Sequence, residues 1–210
     1  MENSLKQPTI ILANGAFPTH HIPLGILKNA GSVICTDGSA NTLNTYGMTP
    51  FAVIGDFDSY KETKPPFSGK KILESEQDNT DLEKALNWSL KNGIEKITVL
   101  GATGLREDMT LANHYILFDY YDQIYLEMVT DHFTITCHKG QKSFDTFPGQ
   151  IISILPQHYN TEVSTTALRY PLNNMSLNPS AKAVSNQAMG ASFSVDASKP
   201  VLIFRGHTEN

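Results

Sequence analysis

The sequence predicts an α/β domain over residues 1–130, built on a mostly parallel sheet, followed by a smaller all-β sandwich domain over residues 131–210. Two observations carry this reading. Up to about residue 130, short apolar runs alternate with helix-like segments, the pattern of βαβ units and a parallel sheet. Beyond that point the helical period disappears, and short alternating runs are punctuated by Gly, Pro and Asn.

The early strands are read at Thr9–Ala13 (TIILA), Ser32–Thr36 (SVICT), Phe51–Ile54 (FAVI), Ile97–Leu100 (ITVL) and Gln123–Val129 (QIYLEMV). Helices are expected at His21–Ala30, Thr80–Asn92 and Thr110–Tyr121. The second is the best marked. Thr80 and Glu83 form a capping-box pattern, in which each side chain satisfies a free N–H at the helix start. Leu82, Ala85, Leu86 and Ser89 recur on one face, and Gly93 supplies the stop. In the second domain HFTITCH, QIISILP and PVLIFRG read as strands of a sandwich or partial barrel. No internal repeat, low-complexity tract or long linker is evident.

Composition narrows the function classes. The chain of 210 residues is 40% hydrophobic and 18% charged, with a formal net charge of −5. That balance argues against a nucleic-acid partner, because phosphate backbones are held by clustered Lys and Arg. A nucleotide substrate stays open, since Mg²⁺ held by carboxylates can supply positive charge instead. Cys35 and Cys137 are the only cysteines, too few for a disulfide scaffold and suited to a reducing compartment. The start, MENSLKQPT, lacks a basic stretch followed by an apolar one, so no signal peptide is expected. No apolar run approaches bilayer-spanning length. The expectation is a cytoplasmic protein with no membrane partner.

The aspartates carry the chemical information. Asp37, Asp56, Asp58 and Asp108 follow apolar strand runs, while Asp78 and Asp81 open a helix. In open parallel sheets ligands bind beyond the carboxyl ends of the strands. Carboxylates gathered there repel one another unless a cation or proton intervenes. Oxygen ligands without His or Cys favour Mg²⁺ over zinc. In Gly55-Asp56-Phe57-Asp58-Ser59, an extended backbone would aim both carboxylates to one side, about 7 Å apart, with Phe57 turned into the core. The competing reading is an Asp-rich turn held by local hydrogen bonds.

In Gln77-Asp78-Asn79-Thr80-Asp81, Asp81 fits helix-start chemistry by itself. Asp78, outside the helix, is the better ligand candidate. Gly101-Ala102-Thr103-Gly104-Leu105-Arg106-Glu107-Asp108 joins a strand to a helix. Its glycines would let backbone approach phosphates, Arg106 could neutralise them, and Asp108 could hold metal or orient a nucleophile. The GK[ST] ending of a Walker loop is absent. His20 and His21 read as loop or helix-start residues, Cys35 as core and Trp88 as packing. Lys70–Lys71 is too short a basic cluster for a polyanion site.

Taken in order, these segments resemble the thiamine pyrophosphokinase family. The matching pieces are ILANG at Ile11–Gly15, CTDGSANTL at Cys35–Leu43, VIGDFDS at Val53–Ser59, QDNTDLEKAL at Gln77–Leu86 and GATGLREDMTLAN at Gly101–Asn113. TTALRYPL at Thr165–Leu172 and VSNQA at Val184–Ala188 look like the family's thiamine-side segments.

The resemblance implies an N-terminal α/β domain for nucleotide and metal, a C-terminal β-sandwich for thiamine, and a homodimer with active sites at the subunit interface. It places Mg²⁺ on Asp56, Asp58 and Asp78, and counts Asp108 with them as catalytic. It gives ATP contacts to Asn14, Asp37, Gly38, Thr80, Asp81, Gly101, Gly104 and Arg106. Thiamine falls to Tyr170, Ser185 and Asn186, Tyr170 standing where the family often has Trp; an aromatic face suits a cationic heterocycle.

Three departures mark this chain: Leu105 replaces a glycine in Gly-Gly-Arg, Met109 replaces the histidine after the aspartate, and Thr42 replaces a common arginine. The implied activity is diphosphate transfer from ATP to the thiamine hydroxyl. A related enzyme acting on another hydroxymethyl heterocycle such as a pterin, and a non-catalytic nucleotide or thiamine sensor, stand as alternatives.

Overall fold

A computed structural model describes residues 4–61, 67, 69–74 and 78–208. The chain separates into two compact units, Met1–Ile116 with Asp122–Asp131, and Leu117–Tyr121 with His132–Asn210.

In the first unit, β1 (Thr9–Leu12), β2 (Ser32–Thr36), β3 (Ala52–Gly55), β4 (Lys70–Leu73), β5 (Lys96–Leu100) and β6 (Tyr125–Val129) form one sheet in the order β6-β5-β1-β2-β3-β4. Every pairing among these strands is parallel. The central strands are covered on both faces, so they read as unbroken apolar runs: all residues of β1, β2 and β3 are buried. Each fully buried Ile or Leu removed from water contributes roughly 1.5–3 kcal/mol, and Ile10, Leu12, Leu27, Leu43 and Leu100 share one cluster. Helices α1 (His21–Lys28), α2 (Ser39–Thr45), α3 (Asp81–Lys91) and α4 (Glu107–Tyr120) follow β1, β2, β4 and β5.

Chain order leaves β1 in both directions, through β2, β3 and β4 on one side and through β5 and β6 on the other. The reversal lies between β1 and β5, the kind of switch point beside which open α/β sheets bind their ligands.

The expected strands and helices are present within two residues at most ends, apart from α4, which begins at Glu107 and not Thr110. That earlier start puts Asp108 inside the first helical turn and not in the preceding loop. Two elements departed from the sequence reading. Ser39–Thr45 forms α2 although the segment is rich in Asn, Ser and Thr, because Ala40 and Leu43 bury one face. Lys70–Lys71 lies in β4, an exposed edge strand whose lysines stack over Phe51 and Tyr60 at 5.0 and 4.9 Å. Lysines on an edge discourage further strand pairing.

The second unit is antiparallel. It contains β7 (Phe133–Asp145), β8 (Ile151–Pro156), β9 (Thr161–Thr166), β10 (Met175–Leu177), β11 (Asn186–Gln187) and β12 (Ser192–Gly206). β12 pairs along β7 on one side; on the other its first half meets β9 and its second half meets β8. A register shift between Ala197 and Val201 marks the change of partner, as a bulge re-aims a long strand. Its core gathers Ile152, Ile154, Val163, Phe193, Val195 and Ile203. A single 3-10 turn at Ala181–Ala183 interrupts the β pattern.

Candidate active site

The cleft opens where the sheet topology places it. Asn14 and Gly15 leave β1, and Ala102 and Thr103 leave β5. Together with Asp56 after β3 and Thr80 at the start of α3, they line a cavity of about 490 Å³. That volume lies in the range of small-ligand sites.

The two loops are joined backbone to backbone. Ala13 N–H donates to the Leu100 carbonyl at 2.8 Å, Gly15 N–H to Gly101 at 2.7 Å and Ala16 N–H to Thr103 at 2.8 Å. Gly101 has φ +64°, and a Cβ there would stand 2.8 Å from the Ala13 carbonyl oxygen. The conformational freedom of Gly101 thus lets the β1 loop approach. A second close approach seats Asn14: a Cβ on Gly38 would lie 2.7 Å from its side-chain Nδ2. The far end of the β1 loop is tied down by Asp131, which accepts from the Thr19 N–H at 3.0 Å, the His20 N–H at 3.1 Å and the Thr19 hydroxyl.

The Gly55–Ser59 segment is a turn and not the extended stretch that would aim both carboxylates one way. Phe57 has φ +64°, and the Asp58 N–H donates to Asp56 Oδ1 at 3.2 Å. This is the local Asp hydrogen bonding of a tight turn. Phe57 still packs against the core and meets Tyr60 edge-on at 5.9 Å. Asp56 faces the cleft, whereas Asp58 and Asp78 are exposed and lie off its lining. Gln77 lies outside the described residues. Among those described, no three His, Cys, Asp or Glu side chains stand ready-gathered around a metal position.

Asp37 is 4% exposed and sits beneath this turn. Its Oδ2 accepts from the Ser59 N–H at 2.9 Å, while its Oδ1 is buried without a hydrogen-bond partner among the described residues. An unpartnered buried carboxylate oxygen beside Asp56, in an oxygen-only set, fits a hard divalent cation such as Mg²⁺.

The start of α3 is built as read. Thr80 Oγ1 accepts from the Glu83 N–H at 3.3 Å, and Glu83 Oε2 accepts from the Thr80 N–H at 2.8 Å. Lys84, which the sequence reading did not single out, lines the cleft at 7% exposure and donates to Asp81 Oδ1 at 3.0 Å. Its signal was available: a lysine in a helix's first turn opposes the macrodipole.

Arg106 reaches the cleft but also forks onto Asp108, Nε to Oδ1 at 3.1 Å and Nη2 to Oδ2 at 2.6 Å. Asp108 takes a further bond from the Met109 N–H at 2.8 Å. The Arg106 hydrogen bonds first, and the Met109 amide second, hold the Asp108 carboxyl below its ordinary range. Asn113, also missed in the sequence, donates from Nδ2 to the Ala102 carbonyl at 2.7 Å, and its buried Oδ1 has no partner among the described residues.

Five sequence-read residues therefore meet in one cavity: Asn14, Asp56, Thr80, Asp81 and Arg106. Asp37, Gly38, Gly101, Gly104 and Asp108 flank it in the adjoining loops and helix start. In the second unit Tyr170, Ser185 and Asn186 are brought together. Asn186 Oδ1 accepts from the Tyr170 N–H at 3.1 Å and its Nδ2 donates to the Tyr170 carbonyl at 2.7 Å. Tyr170 is 63% exposed, with the Arg169 guanidinium 5.6 Å from its ring centre. Ser185 has φ +57° and its N–H donates to Ser153 Oγ at 3.0 Å.

Fold and cleft together define an α/β protein with a carboxylate-bearing ligand cleft at the switch point of a parallel sheet. Residues 25–128 match the family model described as the thiamin pyrophosphokinase catalytic domain. The chain is 27% identical over 194 residues to thiamine pyrophosphokinase of Bacillus subtilis, covering 84% of this chain and 87% of that protein. A solved structure of thiamine pyrophosphokinase from Bacillus subtilis superposes with a TM-score of 0.81 at 26% identity, over 96% of this chain and 100% of that one. The thiamin pyrophosphokinase structure from Candida albicans matches at TM-score 0.81 over 95% of this chain and 89% of that one; at 20% identity it speaks for the fold alone. Family model, curated relative and solved structure alike make this chain similar to the thiamine pyrophosphokinase family.

Proposed function

We propose that the protein is a thiamine diphosphokinase, transferring diphosphate from ATP to the thiamine hydroxyl to give thiamine diphosphate and AMP. The observation that carries this reading is the convergence of Asn14, Asp56, Thr80, Asp81 and Arg106, from separate matching segments, on one cleft of about 490 Å³. The thiamine hydroxyl attacks the β-phosphorus, and the bond to the α-phosphate oxygen breaks to release AMP. Such transfers depend on positioning and charge neutralisation more than on covalent chemistry.

Asp56 on the cleft wall, with Asp58 and Asp78 from the adjoining exposed turns, would hold Mg²⁺, which would supply that charge neutralisation. Asn14 and the Thr80–Asp81 helix start bind the nucleotide, with Asp37, Gly38, Gly101 and Gly104 shaping the adjoining loops. Arg106 offers charge to the phosphates. Asp108, kept ionised by Arg106, orients the incoming hydroxyl; its lowered pKa makes it a weak base. Tyr170 supplies an aromatic face for the thiamine ring system, and Asn186 fixes the backbone that carries it.

The wider reading is an α/β domain for nucleotide and metal followed by a β-sandwich domain for thiamine, working as a homodimer. A reducing, cytoplasmic setting suits the two free cysteines. No helix among the described residues is long and apolar enough to cross a membrane.

The test is incubation of the purified protein with ATP, Mg²⁺ and thiamine, followed by mass spectrometry. Equal formation of AMP and thiamine diphosphate, abolished by EDTA and by Asp56→Asn, is the expected result. AMP formed only with a hydroxymethylpterin would reassign the acceptor. ATP bound without turnover of any acceptor would favour a sensor.

A further inference from the structure

We propose that Lys84 is the phosphate-binding cation of the cleft, an anchor for the diphosphate chain built into the protein itself. The inference rests on the nucleotide reading above and extends it to a residue outside the carboxylate motifs.

Three features of Lys84 are each unfavourable for a lysine without a ligand. Its side chain is 6% exposed, so the ammonium cannot reach open solvent along its stem as surface lysines do. It sits in the first turn of α3, where the helix dipole already presents positive charge. Among the described residues, Asp81 Oδ1 at 3.0 Å is its one hydrogen-bond partner, leaving two of the three ammonium donors unmatched. Asp81 itself is 35% exposed by side chain, so its attraction is screened by water.

The place where all three meet is the wall of the cleft. Of the two basic residues on that wall, Arg106 is exposed and already forked onto Asp108. Lys84 is the buried one, with donors still to give. A buried cation with unmatched donors beside free helix N–H groups is satisfied by an anion of several oxygens. In the nucleotide reading of this cleft, that anion is the phosphate chain. Asn113 supplies a complementary demand. Its buried Oδ1 needs a hydroxyl or amino donor, and the sugar and base of a nucleotide carry such groups.

The test is calorimetric binding to the full chain with Mg²⁺, using α,β-methylene-ATP, which cannot release AMP, and adenosine as the uncharged control. Lys84→Met is expected to weaken α,β-methylene-ATP about ten- to a hundredfold, the worth of one or two charge-assisted hydrogen bonds. Adenosine affinity should stay as in the wild type, and Lys84→Arg should restore part of the loss. Unchanged analogue affinity in Lys84→Met, or an equal loss for adenosine, overturns the proposal.

Should Lys84→Met fail to fold, the Asp81→Asn/Lys84→Met double variant replaces both charges and is compared with Asp81→Asn alone. Equal analogue affinity in those two overturns it as well. A wild type that binds the analogue through Lys84 but makes no thiamine diphosphate sinks the thiamine reading and leaves this inference standing. Product formation with Lys84-independent binding does the reverse.

Discussion

Asn186 holds the peptide of Tyr170 from both sides, donating to its carbonyl at 2.7 Å and accepting from its N–H at 3.1 Å. The same Oδ1 also accepts from the Gln187 N–H at 2.9 Å, so the amide makes three bonds, all to backbone. At 9% exposure, removing it leaves buried polar groups unpaired. Asn186→Ala should therefore cost about 1–3 kcal/mol in urea unfolding and raise the KM for thiamine. Tyr170→Ala should raise that KM by roughly two- to thirtyfold with little effect on stability, the range of one cation–π contact. Tyr170→Phe, which keeps the ring, should do neither. A Tyr170→Ala variant with unaltered KM would remove Tyr170 from the thiamine site.

Arg106 and Asp108 form a forked pair on an open surface. Because the folded pKa of Asp108 is lowered, its contribution is fully present above the ordinary carboxylate pKa of about 4 and fades as pH falls through the folded value. Across the neutral range the pair stays charged. Carboxyl NMR should find Asp108 titrating below the ordinary range, and Arg106→Gln should move it back up. Asp108→Asn should reduce turnover by roughly a hundredfold through lost orientation, with metal affinity unchanged. Full turnover in that variant would assign Asp108 to the surface alone.

The capping box on α3 carries a separate stability prediction. Thr80→Ala removes the acceptor for the Glu83 N–H and should cost about 1 kcal/mol in urea unfolding. Because Thr80 also faces the cleft, its ATP affinity should fall too, whereas Glu83→Ala should lose stability with less change in ATP affinity.

How far the sequence could be read depended on whether the deciding interaction was local. The β1, β2 and β5 runs and the α3 cap were legible because burial and capping write themselves into consecutive residues. Strand β4 was not, since Lys70–Leu73 owes its conformation to pairing with β3 and not to its own alternation. The Asp56–Asp58 turn was ambiguous for a different reason: one φ angle at Phe57 decides which way two carboxylates point. Asn113 went unread because its importance lies in burial against a cleft assembled from β1, β3, α3 and α4, which no single stretch reveals; Lys84 left only one local sign, its place near the start of α3.

Cys35 gives a check on the packed state of the sheet. Burial pushes its thiol up to about 12, offset in part by a bond to Ser39. In the folded protein it should resist iodoacetamide near neutral pH and become labelled only in denaturant, as read by peptide mass spectrometry. Rapid labelling of the native protein would contradict the buried position in β2.

The most direct test of the central claim follows the phosphorus atoms. With ATP radiolabelled at the γ position, Mg²⁺ and thiamine, the label should appear in thiamine diphosphate while the released AMP stays unlabelled. Asp56→Asn should suppress that transfer by at least about a hundredfold. Label recovered in thiamine monophosphate with ADP as co-product would contradict diphosphate transfer.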